Sequence, residues 1–167
     1  MEKILGLVDA VSVRTGKAVS VLSLLTAFAI VYEIVMRQVF VLPTVWASEG
    51  TVFMCAALYM LGGAWTLLED KHVRVDMIHS RLGPRGKAVI DICTFPFFLL
   101  YVAVMIWATW PYMTESIALR ETTMTPWNPP LWPMKIVMFV SLVLIALQGT
   151  AKFLRDLRTA FGGRAGA

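Results

Sequence analysis

The amino-acid sequence predicts an all-α integral membrane protein with four transmembrane helices. Of its 167 residues, 58% are hydrophobic, and four runs without a charged residue hold most of that apolar content. A helix rises about 1.5 Å per residue, so about 20 residues cross a hydrocarbon core about 30 Å thick. Two of the runs meet that length unaided, and the other two meet it if Glu33 and Lys135 lie near the membrane surface. The charge-free runs cover residues 18–32, 50–68, 92–114 and 136–151.

The basic residues give the predicted orientation. Of the 15 lysines and arginines, three precede the first span, five lie in the second loop and four follow the last span. Cytoplasmic loops carry an excess of Lys and Arg, so we expect both termini and the second loop in the cytoplasm. The same distribution explains the high pI without nucleic acid, which we do not expect as a partner. The predicted spans of this single domain, 1–167, are about 17–40, 46–68, 88–110 and 132–153.

The first twelve residues, which precede the first span, have two possible interpretations. Ile4, Leu7, Val8 and Val11 share one face of a helix, which is typical of a stretch lying in the headgroup layer. The alternative is a plain helical extension of the span. The span itself ends before Pro43, and Thr44 is a candidate cap for the second helix.

The other loops are marked by proline. A short helical pattern in the second loop ends at Gly83-Pro84, and Pro96 and Pro111 lie within the third span. Four prolines and two tryptophans then fall within residues 125–133, which excludes a continuous helix there. Trp127 and Trp132 suit the membrane interface, so we predict a rigid outer segment lying against the membrane or a partner.

Glu33 and Arg37 form an ionisable pair near the outer end of the first span. They are four residues apart on one helix face, in the favourable order. An ionisable residue in a span is a functional hypothesis by default, so Glu33 could couple protons to transport. We favour a structural ion pair near the interface. Trp46 is predicted to anchor the second span, and Glu49 to lie in its first turn and contact Arg37.

Two weaker features remain. Gly62-Gly63-Ala64 gives the second span a small-residue face that permits close helix contact. His72, Val75 and Asp76 follow that span, and a His–Asp pair can serve catalysis or bind metal. No third metal ligand is evident, so we prefer a role in ordering the loop. We predict no metal site, no cofactor and no enzymatic activity.

The ordered set of these residues resembles a known family. Arg37, the pattern Pro43-x-x-Trp46-x-x-Glu49, the small-residue span, His72-x-x-Val75-Asp76 and Arg81 follow one another as in the small membrane subunit, DctQ type, of tripartite ATP-independent periplasmic (TRAP) transporters. Gly50 is a departure, because many members have a second acidic residue after the tryptophan. We predict that these motif residues, together with Glu33, serve structure and assembly. The full set is Glu33, Arg37, Trp46, Glu49, His72, Val75, Asp76 and Arg81.

The resemblance also implies the partners. They are a large permease subunit, which is expected to hold the substrate and sodium sites, and a periplasmic substrate-binding protein, with membrane lipids around them. The expected location is a bacterial inner membrane. Segments 38–49 and 111–133, with Trp127 and Trp132, are the candidate contacts for the binding protein. Two alternatives stay open: a self-sufficient proton-coupled transporter using Glu33, and a membrane enzyme using His72 and Asp76.

Overall fold

The described part of the chain folds into four long helices. The computed structural model describes residues 2–42, 44–69 and 83–161. Each helix is long and apolar enough to cross a membrane, which confirms the predicted fold class. Within the described residues the one β-type contact is an isolated bridge between Thr122 and Pro130. The helices are α1 (Glu2–Gln38), α2 (Val45–Leu68), α3 (Pro84–Leu119) and α4 (Trp132–Phe161).

The helices extend beyond the spans that the apolar runs predict. Helix α1 is continuous over 37 residues, about 55 Å, so the first twelve residues are a helical extension of the span. Helix α3 continues through Pro96 and Pro111 and reaches Leu119, past the predicted end of the third span. It stops where Arg120 adopts a left-handed φ of 46°.

The four helices form an open row, not a closed bundle. Helix α1 packs against α2, α2 against α4, and α4 against α3, with a smaller contact between α1 and α4. Within the described residues, α3 has extensive contact with α4 alone. As a result α1 and α3 expose broad apolar faces, in which Phe28 is 73% exposed and Trp107 is 79% exposed.

Small residues allow the helices to approach closely. A Cβ atom added at Gly149 of α4 would overlap the ring of Phe98 in α3, and one at Gly16 of α1 would lie 2.5 Å from the Trp65 ring of α2. Gly63 of α2 faces Ile145 of α4, as expected of the small-residue face in that span. Membrane helices gain little from the hydrophobic effect on association, so such close van der Waals contact carries much of their packing.

The row has two chemically distinct ends. The α1–α2 and α3–α4 connections lie together at one end, because Glu49 of α2 accepts a hydrogen bond from Thr125 of the α3–α4 connection. We call this the hairpin end. At the opposite end the first turns of α1 meet the last turns of α4, where Asp9 pairs with Arg155. We call that the terminal end.

Candidate functional site

The α1–α2 connection at the hairpin end is closed by Glu33. Arg37 donates to Glu33 Oε1 from Nη2 at 2.7 Å and from Nε at 3.2 Å. The other carboxylate oxygen, Oε2, accepts the Thr44 backbone N–H at 3.2 Å and the Thr44 hydroxyl. The Glu33 side chain is only 13% exposed, whereas that of Arg37 is 58% exposed. The carboxylate therefore ties the end of α1 to the start of α2, with both oxygens occupied by donors.

One expectation about the start of α2 is confirmed and one is wrong. Thr44 occupies the N-cap position, as expected, although its hydroxyl donates to Glu33 and makes no side-chain bond to the helix. Glu49 is not in the first turn, which holds no acidic residue, because α2 begins at Val45. Trp46 packs against Tyr32 of α1, with ring centroids 5.6 Å apart, and Tyr32 directly precedes Glu33 in the chain.

The predicted contact between Arg37 and Glu49 is also absent among the described residues. Glu49 Oε2 instead accepts the Thr125 hydroxyl at 2.8 Å. Trp127 lies over Gly50, since a Cβ there would be 4.0 Å from the edge of its ring. The departure from the family pattern at Gly50 thus lies where the α3–α4 connection packs onto α2. The two candidate docking segments, 38–49 and 111–133, therefore meet at Glu49 and Thr125.

The α3–α4 connection is a compact hairpin of backbone bonds. Thr123 N–H donates to the Pro129 carbonyl at 3.1 Å, and Leu131 N–H donates to the Glu121 carbonyl at 2.9 Å. Asn128, at a positive φ of 54°, accepts the Met124 N–H on its side-chain oxygen. These bonds give the proline-rich segment a defined structure, in which Met124 is 93% exposed.

A third polar group at this end was not predicted from the sequence. Lys135 of α4 pairs with Glu121, and its Nζ lies 3.6 Å from the centroid of the Tyr112 ring of α3. The hydrogen bond from Lys135 holds the pKa of the Glu121 carboxyl below its ordinary value of 4.5. The pair joins the end of α3 to the start of α4, as Glu33 and Thr44 join α1 to α2.

The terminal end contains a buried polar network that sequence patterns also missed. Gln148 of α4 has no exposed surface, and Ser12 of α1 is 1% exposed. Ser12 donates to Gln148 Oε1 at 2.9 Å, Gln148 Nε2 donates to Asp9 at 3.1 Å, and Arg155 donates to Asp9 at 2.6 Å. A glutamine within an apolar run was the available signal, but its partner lies 136 residues away.

A second ion-pair group at this end joins α3 to α4. Lys152 Nζ lies 3.1 Å from an Asp91 carboxylate oxygen and 3.8 Å from one of Asp156. The loop residues singled out earlier lie outside the described residues. Their predicted roles stay predictions, and so does the enzyme alternative that two of them carry. These residues are His72, Val75, Asp76 and Arg81.

The fold and these contacts define a class of protein. It is a multi-pass membrane protein whose side-chain ion pairs join its own helices and loops near the two ends of the row, and whose outer helices expose apolar faces. Comparison with protein families then identifies it more closely. The family model described as tripartite ATP-independent periplasmic transporters, DctQ component, matches residues 25–159. The chain belongs to this family, as the sequence motifs indicated. No curated protein matches the chain.

Membership assigns the chain a place in a larger assembly. It is the small membrane component of a tripartite transporter, and the family is a transporter component, not an enzyme family. The match starts within α1 and ends within α4, so it includes the hairpin end completely. The first 24 residues, which carry Asp9 and Ser12 of the terminal network, lie outside it.

Proposed function

We propose that this chain is a non-catalytic scaffold for the large permease of a sodium-driven, binding-protein-dependent uptake system. The observation that supports it most directly is the open row of helices, which leaves α1 and α3 with apolar faces far broader than a closed bundle would have. Transported solute and sodium would then be handled by the large subunit. The chain would widen the static part of the assembly and fix its position in the membrane.

The proposed location is a bacterial inner membrane with both termini in the cytoplasm. In support, the start of α1 meets the last turns of α4 at the terminal end of the row, and that end is rich in basic residues. The positive-inside rule then places the terminal end in the cytoplasm and the hairpin end outside. That orientation presents the hairpin end to a binding protein in the periplasm.

We further propose that the binding protein docks on the α3–α4 connection at the hairpin end. Met124 is its most exposed large hydrophobic residue, and Trp127 and Trp132, which follow it in the chain, are also exposed. Substitution Met124→Glu is expected to lower capture of the binding protein by the membrane complex without lowering recovery of the permease. Leu7→Glu, at an exposed position of the terminal end, is the matched control and should leave capture unchanged.

The rival function, proton-coupled transport by this chain through Glu33, has less support. Both oxygens of Glu33 accept hydrogen bonds, and the residue lies at the end of α1, away from the middle of the span. This arrangement suits a structural carboxylate. The rival predicts that Glu33→Gln abolishes transport by the isolated chain.

Copurification with photo-crosslinking tests the scaffold. The chain is expressed with its permease, carrying a photoreactive residue at Phe28 in α1 or at Trp107 in α3. We expect copurification and crosslinking to the permease from at least one of these faces. Failure to copurify, with crosslinks to lipid alone from both, would contradict the proposal. Arg37→Ala should lower recovery of the complex more than Arg120→Ala, an exposed arginine at the same end.

A further inference from the structure

A small polar pocket lies between the end of α1 and the start of α2. It has a volume of about 210 Å³ and is lined by Arg37, Thr44, Val45, Ser48 and Glu49. It contains opposite charges that do not pair with each other, since Arg37 uses Nε and Nη2 for Glu33 and Glu49 uses Oε2 for Thr125. Within the described residues, Arg37 Nη1 and Glu49 Oε1 have no partner. The pocket therefore offers a cation and an anion to one ligand.

An apolar loop adjoins the pocket. Four consecutive residues, Val39, Phe40, Val41 and Leu42, are each between 59% and 78% exposed. Val41 has a φ of 54°, in the left-handed region that a β-branched residue rarely adopts. Such strain persists where the surrounding structure imposes it, and it is commonly found at binding sites. The loop keeps an apolar side chain at a backbone position suited to glycine.

The aromatic residues next to the pocket are of the kind found at a membrane interface. Tyr32 and Trp46 pack against each other with ring centroids 5.6 Å apart, and rings with one polar atom concentrate at the interface. The site thus combines two opposite charges with an exposed apolar loop. That combination suits an amphiphile better than a water-soluble partner, because a soluble protein would have to cover the apolar loop as well.

We propose that the pocket binds a phospholipid whose headgroup carries both a phosphate and a primary ammonium group. The phosphate would accept hydrogen bonds from Arg37, and the ammonium would donate to Glu49. The acyl chains would lie against the apolar loop. A purely anionic headgroup satisfies Arg37 but places negative charge against Glu49. The ligand is a lipid, held by its headgroup and its chains together.

Native mass spectrometry of the full chain in detergent tests the site, with phosphatidylethanolamine and phosphatidylglycerol as probes. We expect the parent chain to bind the first about tenfold more tightly, a difference of about 1.4 kcal/mol. Glu49→Gln should bring the ratio of the two affinities close to one, because the amide keeps the bond from Thr125 and loses the charge. Glu115→Gln, an exposed glutamate near the same end, should keep the parent ratio. Equal affinities in the parent, or an unchanged ratio in Glu49→Gln, would overturn the proposal.

A second pair of variants tests the cation. Arg37→Gln should weaken both lipids about tenfold, whereas Arg120→Gln should weaken neither. Equal losses in the two variants would show a general charge effect and refute the pocket. A ratio of affinities on one sample does not depend on the amount of folded chain, so the Glu49→Gln result stands even if Arg37→Gln folds poorly.

A soluble competitor distinguishes a lipid from a free headgroup. Glycerophosphoethanolamine carries both charges but has no acyl chains, so we expect no displacement of the bound lipid at equal concentration. Displacement would contradict the role of the apolar loop. The assay contains no permease, so its outcome is independent of the scaffold proposal.

Discussion

At the terminal end, polar side chains from different helices bond directly across the row, whereas at the hairpin end they mainly bond connecting segments to nearby helices. The hydrogen bond between Ser12 and Gln148 joins two residues that are 136 apart in sequence. The bonds between Glu33 and Thr44 join residues that are 11 apart. The first kind of bond specifies which helices are neighbours. The second kind shapes an outward surface on helices already in place. The terminal end is thus suited to holding the fold, and the hairpin end to contacting other molecules.

The largest expected effect breaks the packing near the terminal end. Gly149→Ala places a methyl group in the space of the Phe98 ring, and overpacking of this kind costs about 1–3 kcal/mol. Reversible unfolding in detergent measures the loss. Gly6→Ala in α1 is the control, because a Cβ there meets nothing within 4 Å, and it should gain up to about 1 kcal/mol from helix propensity. Equal stabilities for the two variants would refute the close contact.

The buried network gives the next effect. Gln148→Leu should lower the free energy of unfolding by about 1 kcal/mol, the usual scale of a hydrogen bond between membrane helices. Gln38→Leu, at an exposed site near the hairpin end, should change it little. Adding Ser12→Ala to Gln148→Leu should cost less than the sum of the single losses, because both remove the same bond. Full additivity would mean that the two residues act independently.

A smaller effect depends on pH and belongs to the hairpin end. The pKa of Glu121 is lower in the folded chain than its ordinary value of 4.5, so its pairing with Lys135 stabilises the fold fully only above that pH. The stability advantage of the parent over Glu121→Gln should therefore persist at neutral pH and disappear as pH falls through the folded pKa, below 4.5. Melting temperatures of both chains measured between pH 3 and pH 7 check this. An advantage independent of pH would contradict the pairing.

The smallest expected effect is a gain in the free energy of unfolding. Val41→Gly relieves the left-handed backbone of the apolar loop and should raise stability by about 0.5–1 kcal/mol, since glycine adopts this φ without a steric penalty but loses more backbone entropy on folding. The same variant should bind phosphatidylethanolamine more weakly. Unfolding and lipid binding measured on one preparation compare the two effects. A loss of stability would show that this residue is not strained.

The sequence predicted the fold well because the membrane imposes a simple rule. Charge-free runs of sufficient length become spans, and Pro43 and the prolines of residues 125–133 mark two connections. Helix ends were less predictable. Thr44 takes the expected N-cap position, but its hydroxyl bonds to Glu33 and not to the helix, which no local pattern reveals.

Polar partners were predictable only where they share a helix. Glu33 and Arg37 are four residues apart on α1, and the structure pairs them. Glu49 was assigned the wrong partner, because Thr125 lies 76 residues away, in a connection whose own short-range backbone bonds set its shape. Gln148 and Ser12 lie in separate helices, so their contact follows from the packing of the row and from no spacing in the sequence.

Uptake by reconstituted vesicles tests the central claim most directly. Vesicles are prepared with this chain alone, with the chain and its large permease, and with both plus the binding protein, under an inward sodium gradient. Solute accumulation is predicted only in the complete system and should be absent with this chain alone. Accumulation by vesicles that contain only this chain would contradict the account.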